Sequence, residues 1–308
     1  MSGRLCAKIV EMATPPVCDY EGSDYQQRFW EEGNRAYEDI AEALALKKLL
    51  PKGGYHLLEL GAGTGRNSPR YTGFQKVTLV DYSTTQLSQA IENLGNGTRY
   101  RFIAADIYSL PFGPDSFDAA TMIRTLHHFS QPEKAMEQVR GCLAGGAVFL
   151  LEYANKRNLK SFLRFLVGRQ KWNPFSREAI EFAELNFDFH PKSVKAMLRE
   201  SGFRVEGQVS VSYLRAGVFK KFVPLKLLEI FEGFLQAFFS WTAYSPSIFL
   251  RTFSEGGQTL LKAHTLFRCP ACGHYPLEDT PPLLTCDACG RAYPVRNGIY
   301  DFRIKEDE

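Results

Sequence analysis

Apolar residues follow two rhythms along this chain. Five short runs, residues 56–60, 76–80, 100–105, 117–123 and 146–153, are apolar almost without interruption. Runs of that length with no helical period read as strands buried on both faces, the habit of a parallel sheet. Between them the period lengthens. Leu87, Ala90, Ile91 and Leu94 recur at helical spacing behind the capping residues Ser83 and Thr84, and Ala135, Met136, Val139 and Leu143 share a face behind Pro132, a favoured first-turn residue. Strands alternating with helices predict an α/β fold, a doubly wound sheet covered on both faces. A helix over residues 34–50, carrying Ile40 and Leu44, stops at Pro51, and another over 190–201 stops at Gly202. A sixth strand over 204–214 should run parallel to the rest, with an antiparallel return over 247–253.

The chemistry gathers where these strands end. The first runs through Glu59 into Gly61-Ala62-Gly63-Thr64-Gly65, a turn whose glycines allow φ > 0 and let a ligand lie against the backbone. The third glycine comes one residue earlier than in the G-x-G-x-x-G turn of dinucleotide-binding folds, which disfavours a nicotinamide enzyme. The second strand ends in Asp81 and Tyr82, with Asp81 20 residues after Gly61, a place from which an acid accepts hydrogen bonds from ribose hydroxyls. The third ends in Asp106 and Ile107, and the fourth leads into Arg124-Thr125-Leu126-His127-His128. Taken singly, Asp81 and Asp106 are ordinary strand-end turn residues; their order and spacing together carry the signal.

In that order these motifs resemble the class I S-adenosylmethionine (SAM) methyltransferases, over residues 25–253 and nearest to the ubiquinone/menaquinone-biosynthesis C-methyltransferases of the type 11 branch. The resemblance implies a Rossmann-like, seven-stranded methyltransferase sheet. It implies SAM held by Glu59, Gly61, Ala62, Gly63, Gly65, Asp81, Tyr82, Asp106, Ile107 and Arg124, with Asp106 at the adenine amino group. Tyr25, Trp30 and Tyr37 fall in an N-terminal segment resembling the lid of related enzymes. One departure is Leu143-Ala144-Gly145-Gly146, where that branch carries Lys-Pro-Gly-Gly; both glycines are kept, so the turn is expected to survive. His127 and His128 follow the fourth strand near the expected methyl group, each either a base that orients the acceptor or a residue packing the entrance. Glu152 and Tyr153 are second-rank candidates.

Two inserts interrupt this plan, at residues 154–189 and 215–246, and both leave the carboxyl edge of the sheet where substrates bind. The first interleaves Lys156, Arg157, Lys160, Arg164, Arg169 and Lys171 with Leu159, Phe162, Leu163, Phe165, Leu166 and Val167. The second sets Leu227, Phe231, Phe234, Leu235 and Phe238 at helical spacing, with Phe239, Trp241 and Tyr244 alongside. A basic amphipathic helix beside an aromatic stripe suits a small, lipid-like or aromatic acceptor and peripheral membrane contact. The plainer readings are a solvated basic face and a stripe that is core or the seat of another domain.

Four of the seven cysteines sharpen the last stretch. Cys269-Pro270-Ala271-Cys272 and Cys286-Asp287-Ala288-Cys289 are paired knuckles suited to one structural zinc with four thiolate ligands; disulfides or a redox pair are the alternatives. With Tyr293-Pro294-Val295 and Gly298-Ile299 they resemble the zinc-ribbon activator subunit of tRNA, rRNA and release-factor methyltransferases, a separate partner in that family. Cys6, Cys18 and Cys142 lack ligand spacing. The chain of 308 residues thus divides into a helical lid (1–50), a methyltransferase domain with its inserts (51–254), a linker (255–264) and a ribbon (265–308). The net charge of +3 is too small to imply a polyanion partner by itself, and neither a signal peptide nor a spanning helix is expected, which suggests a cytoplasmic protein. Methyl transfer to oxygen or carbon is the leading expectation. An RNA methyltransferase is the alternative, disfavoured by the lack of an Asn-Pro-Pro-Tyr motif after the fourth strand, and a non-catalytic SAM-binding scaffold is the third.

Overall fold

A computed structural model describes residues 15–16, 21–22, 35–258 and 265–304. The lid residues Tyr25 and Trp30, the cysteines Cys6 and Cys18, and linker residues 259–264 lie outside that set. Helix α1 (Ala36–Leu49) opens with Glu38 and Asp39 and closes with Lys47 and Lys48, so its charges complement the helix dipole. It ends where Pro51 forbids a further turn. Strands β1 (Gly54–Leu60), β2 (Phe74–Asp81), β3 (Tyr100–Ala104), β4 (Phe117–Met122) and β5 (Leu143–Ala154) form the parallel body, with α2 (Thr84–Leu94) and α3 (Pro132–Cys142) between them. Ser83 caps α2 by accepting a hydrogen bond from the Gln86 backbone N–H. Gly145 and Gly146 do not make the expected turn. They lie inside β5, at the point where the register against β4 shifts and Gly146 takes a φ of +78°; a Cβ on Gly145 would come within 2.9 Å of the Gly256 carbonyl.

Beyond β5 the chain forms α4 (Leu159–Leu166), a hairpin of β6 (Ile180–Ala183) and β7 (Asn186–Asp188), and α5 (Pro191–Glu200). Strand β8 (Phe203–Val211) is followed by α6 (Gly217–Phe222) and α7 (Leu225–Phe238), and then by β9 (Ser247–Ser254). β9 runs antiparallel to both β5 and β8, so β8 points the same way as the body.

The sheet does not stop at seven strands. Its order is β10-β11-β12-β3-β2-β1-β4-β5-β9-β8, where β10 (Leu283–Thr285), β11 (Ala292–Arg296) and β12 (Ile299–Asp301) come from the cysteine-bearing tail. β12 pairs parallel with β3, Ile299 opposite Phe102 and Tyr300 opposite Ile103. The tail thereby covers the edge that β3 would leave open. Phe267 packs against Phe112 and Phe302, and Phe302 against Tyr293, so the tail's apolar residues join the core on one face of the sheet. A second core on the other face unites α1 and α2 with Leu57, Val77, Leu79 and Phe102.

The aromatic stripe of the second insert is neither core nor the seat of the tail. Phe231, Phe234, Phe238, Phe239 and Trp241 are exposed, because the tail takes the opposite end of the sheet. Lys156 also leaves the basic face: it is buried, with Nζ donating to Ser176 Oγ and the Glu178 carbonyl.

Candidate active site

Strand order reverses at β1, which lies between β2 and β4. The loops after these strands diverge there and open a crevice. Gly61 and Gly63 follow β1 with φ of +65° and +53°, and a Cβ on Gly61 would overlap Thr125 Oγ1 at 2.1 Å. No other residue fits that crossing of the two loops. Asp81 braces the turn, accepting the Gly63 N–H at 2.8 Å and the Ser83 N–H at 3.0 Å.

Of the residues singled out in the sequence, Glu59, Gly61, Ala62, Gly63, Asp81, Tyr82, Ile107, Arg124 and His128 line this crevice. Gly65, Asp106 and His127 are not among its lining residues. Gly65 faces Leu94 of α2, where a Cβ would come within 2.6 Å. Asp106 turns to cap its own loop, accepting the Tyr108 N–H at 2.9 Å. Glu59 is buried behind the glycine turn, its carboxylate taken by Ser68 Oγ at 2.5 Å and Tyr71 Oη at 3.2 Å. Burial pushes its pKa up to about 7, against the lowering effect of those two hydroxyls.

Arg124 holds a left-handed φ of +56°, a strained setting for a long side chain. Its backbone N–H donates to Glu152 Oε2 at 2.7 Å and its Nε to Glu42 Oε1 at 2.5 Å. Glu42, fully buried on α1, also takes Arg66 at 2.6 Å. Burial works against its charge, and Arg124 and Arg66 overcome this to hold the carboxyl below the usual range. Glu152 is further fixed by Ser247 Oγ at 2.5 Å, while Tyr153 is buried with no hydrogen-bond partner for its hydroxyl.

The two histidine rings pack against each other, tilted by 46° with centroids 4.0 Å apart. His128 Nδ1 lies 3.1 Å from the Leu185 carbonyl in the turn of the β6–β7 hairpin. A carbonyl only accepts, so Nδ1 carries the proton and Nε2 is left as the ring's acceptor. Burial lowers the pKa of both rings, with His128, Arg124 and Arg215 adding to the effect on His127. Both are neutral at pH 7. Sequence reasoning missed Arg66, Asn67, Gln86 and Thr125, which also line the crevice. It missed Glu42 as well, although two acids at Glu38 and Glu42 on the buried face of α1 were a readable signal.

In the tail, the four cysteine sulfurs lie within 4.8 Å of one another. Cys269 and Cys289 are 3.7 Å apart and Cys272 and Cys286 3.6 Å, close to the ~3.8 Å edge of a tetrahedron with Zn–S bonds of about 2.3 Å. Tyr293 Oη lies 3.1 Å from Cys269 Sγ, placed to donate to a thiolate. The donor set fits structural zinc and leaves no ligand position open for catalysis.

Residues 58–151 match the family described as "Methyltransferase domain", and residues 262–298 match "Trm112p-like protein". A methyltransferase-family segment and a Trm112p-like segment are thus fused in one chain, the second carrying the four-cysteine cluster. Among similar proteins, a demethylmenaquinone methyltransferase of Chlamydia pneumoniae is 38% identical over 103 residues, 32% of this chain and 44% of its own length. O-methyltransferase cnsE of Penicillium expansum is 26% identical over 213 residues, 64% of this chain and 71% of its own. The chain spans less than half the length of the first demethylmenaquinone methyltransferases it matches. A Haloferax volcanii complex of the Trm112 methyltransferase activator with a methyltransferase has a similar fold, with a TM-score of 0.53 at 16% identity, covering 76% of this chain and 96% of the other. The fold of a Listeria monocytogenes SAM-dependent methyltransferase is likewise similar, with a TM-score of 0.52 at 15% identity, covering 73% of this chain and all of that one.

Proposed function

We propose that this methyltransferase domain transfers a methyl group to an oxygen or carbon of a small, apolar, quinone-like or lipid-like acceptor, with His128 as the general base. The observation that carries the reading is the His128–Leu185 contact in the crevice that also holds the glycine turn, which fixes the tautomer in which Nε2 is the basic nitrogen. Bound SAM supplies an activated methyl group on a sulfonium. The residues supply the remainder. Asp81 offers carboxylate oxygens to ribose hydroxyls, and the backbone of Gly61 to Gly63 permits close approach. Arg124, anchored by Glu42 and Glu152, fixes the loop after β4. His128 Nε2 takes the proton that a hydroxyl or carbon acid loses as the new bond forms. His127, packed at a tilt against His128, keeps that ring in place. The quinone-type names of the relatives support an aromatic, lipid-like acceptor. The ribbon occupies the edge of its own catalytic domain, which supports an activator in cis over a docking module for RNA.

Replacement of His128 by Ala should lower kcat by about 10²–10⁴-fold with SAM affinity unchanged by titration calorimetry. Asp81→Ala should instead weaken SAM binding by roughly 10–100-fold. Because His128 titrates below the ordinary histidine range, kcat/KM should stay level as pH falls from 8 to 6.5 and decline only below that. Methyl uptake by RNA but by no quinone-like compound would move the assignment to the RNA alternative.

A further inference from the structure

Helix α7 is built inside out. Its buried side chains are Leu228, Glu232 and Gln236, a stripe that is two-thirds polar. Glu232 accepts the Ser212 N–H at 2.7 Å and the Tyr37 hydroxyl, and Gln236 donates to the Ala41 carbonyl at 2.9 Å while accepting from Lys48 at 3.1 Å. The apolar residues face outward: Leu227, Ile230, Phe231, Phe234 and Phe238 are between 46% and 66% exposed. A surface helix normally does the reverse. Each such side chain left in water forgoes about 1.5–3 kcal/mol of burial, so this face calls for a cover.

The neighbouring elements extend it. On α6, Val218 and Phe222 stand out, and on α4 so do Leu159, Leu163 and Leu166. The turn after α7 carries Trp241, at 82% the most exposed large apolar residue among those described. The same turn ties the two inserts together. The Leu159 N–H donates to the Tyr244 carbonyl at 2.8 Å, and the Tyr244 ring packs on Phe162 at 6.2 Å. The charge on these segments is one-sided. Lys160, Arg164, Arg169, Lys171, Lys221 and Lys226 are exposed, whereas Glu229 is the sole exposed acid within residues 159–171 and 217–241.

We propose that the outward faces of α4, α6 and α7 seat this chain on an anionic membrane surface, the aromatic and aliphatic residues entering the acyl boundary and the lysines and arginines meeting the headgroups. Protruding apolar side chains among cations are complementary to such a surface. Among the described residues no helix is long and apolar enough to cross a membrane, so the contact is peripheral. The seat lies near the crevice: Lys220 of α6 pairs with Glu38 of α1 at 3.1 Å, and Glu42, one turn further along α1, holds the crevice residue Arg124. An acceptor held in the bilayer would thus reach the site from this side. This last step rests on the acceptor proposed above; the surface itself does not.

The test is co-sedimentation of the full chain with vesicles of phosphatidylcholine alone and of phosphatidylcholine mixed with phosphatidylglycerol, at low and high salt. Binding should favour the anionic vesicles, weaken with salt, and blue-shift the tryptophan fluorescence in a manner lost in Trp241→Phe. Phe231→Ser/Phe234→Ser/Phe238→Ser should lose binding to both compositions. Lys160→Glu/Arg164→Glu should lose about tenfold or more on anionic vesicles only, at ~1 kcal/mol per basic residue. SAM affinity, measured on each variant, should be unchanged and reports an intact fold. A wild-type chain that sediments with neither vesicle overturns the proposal. So does a lipid-free dimer that the phenylalanine variant dissociates, since a second copy then covers the face. Vesicle binding by a chain that fails to bind SAM would overturn the methyltransferase reading and leave the surface standing.

Discussion

At the residue scale, two buried acids near the glycine turn are driven in opposite directions by what faces them. Glu42 meets two guanidinium groups and stays ionised. Its folded pKa lies below the ordinary 4.5, so its stabilising effect is complete above that value and is lost as pH falls through the folded pKa. Glu42→Gln should remove the carboxylate that Arg124 and Arg66 share, leaving Arg66 its pair with Asp39, and cost about 3–5 kcal/mol, read by urea denaturation at neutral pH. Glu59 meets only hydroxyls. Its folded state holds a proton up to about pH 7, so stability declines as pH rises from the ordinary 4.5 through 7. Glu59→Gln should flatten that decline, with the two proteins diverging by a few kcal/mol at pH 8; parallel stability curves would rule this out. The sequence marks Glu59 by its place before the turn. Nothing in the sequence shows that its carboxyl points back at Ser68 and Tyr71, residues 9 and 12 further on.

At the element scale, Arg303 carries the ribbon to the crevice beside Tyr82. β12 runs parallel to β3, which carries Arg303 past the ends of the strands to Tyr82. There Arg303 donates to the Tyr82 carbonyl at 3.2 Å, with its guanidinium 5.7 Å from the Tyr82 ring, and is itself held by Asp301 at 2.7 Å. Tyr82 lines the crevice beside Asp81. Arg303→Ala should therefore weaken SAM binding several-fold by titration calorimetry while leaving kcat at saturating SAM close to normal. Equal SAM affinity in the two proteins would mean that the ribbon merely covers the edge. The alternation of strands and helices makes the sheet readable in advance, and four strands of its parallel body fall where the apolar runs predict them. β5 begins at Leu143, ahead of its apolar run, and passes Gly145 and Gly146 through a register shift in which Gly145 lies against the Gly256 backbone and Gly146 takes a φ of +78°.

At the scale of the whole molecule, ribbon and sheet share one apolar core, in which Phe267, Leu277, Leu284 and Phe302 of the tail join Ile103, Leu110 and Phe112. We expect the chain to unfold in a single calorimetric transition, with Cys272→Ala or chelation of the metal lowering its midpoint. Two separated transitions, one insensitive to chelator, would show that the parts fold independently. The sequence alone determined the order of strands, the glycine turn with its acids and the four zinc ligands, because each is a local pattern: a period, a φ requirement or a ligand spacing. Tertiary structure alone decided which sheet edge the ribbon closes, which histidine faces the crevice and which side of α7 meets water. Those depend on partners distant in the chain, such as Tyr37 for Glu232 and Leu185 for His128. Composition could not have revealed them, since the same aromatic stripe would serve equally well as core had its polar neighbours not found hydrogen bonds inside.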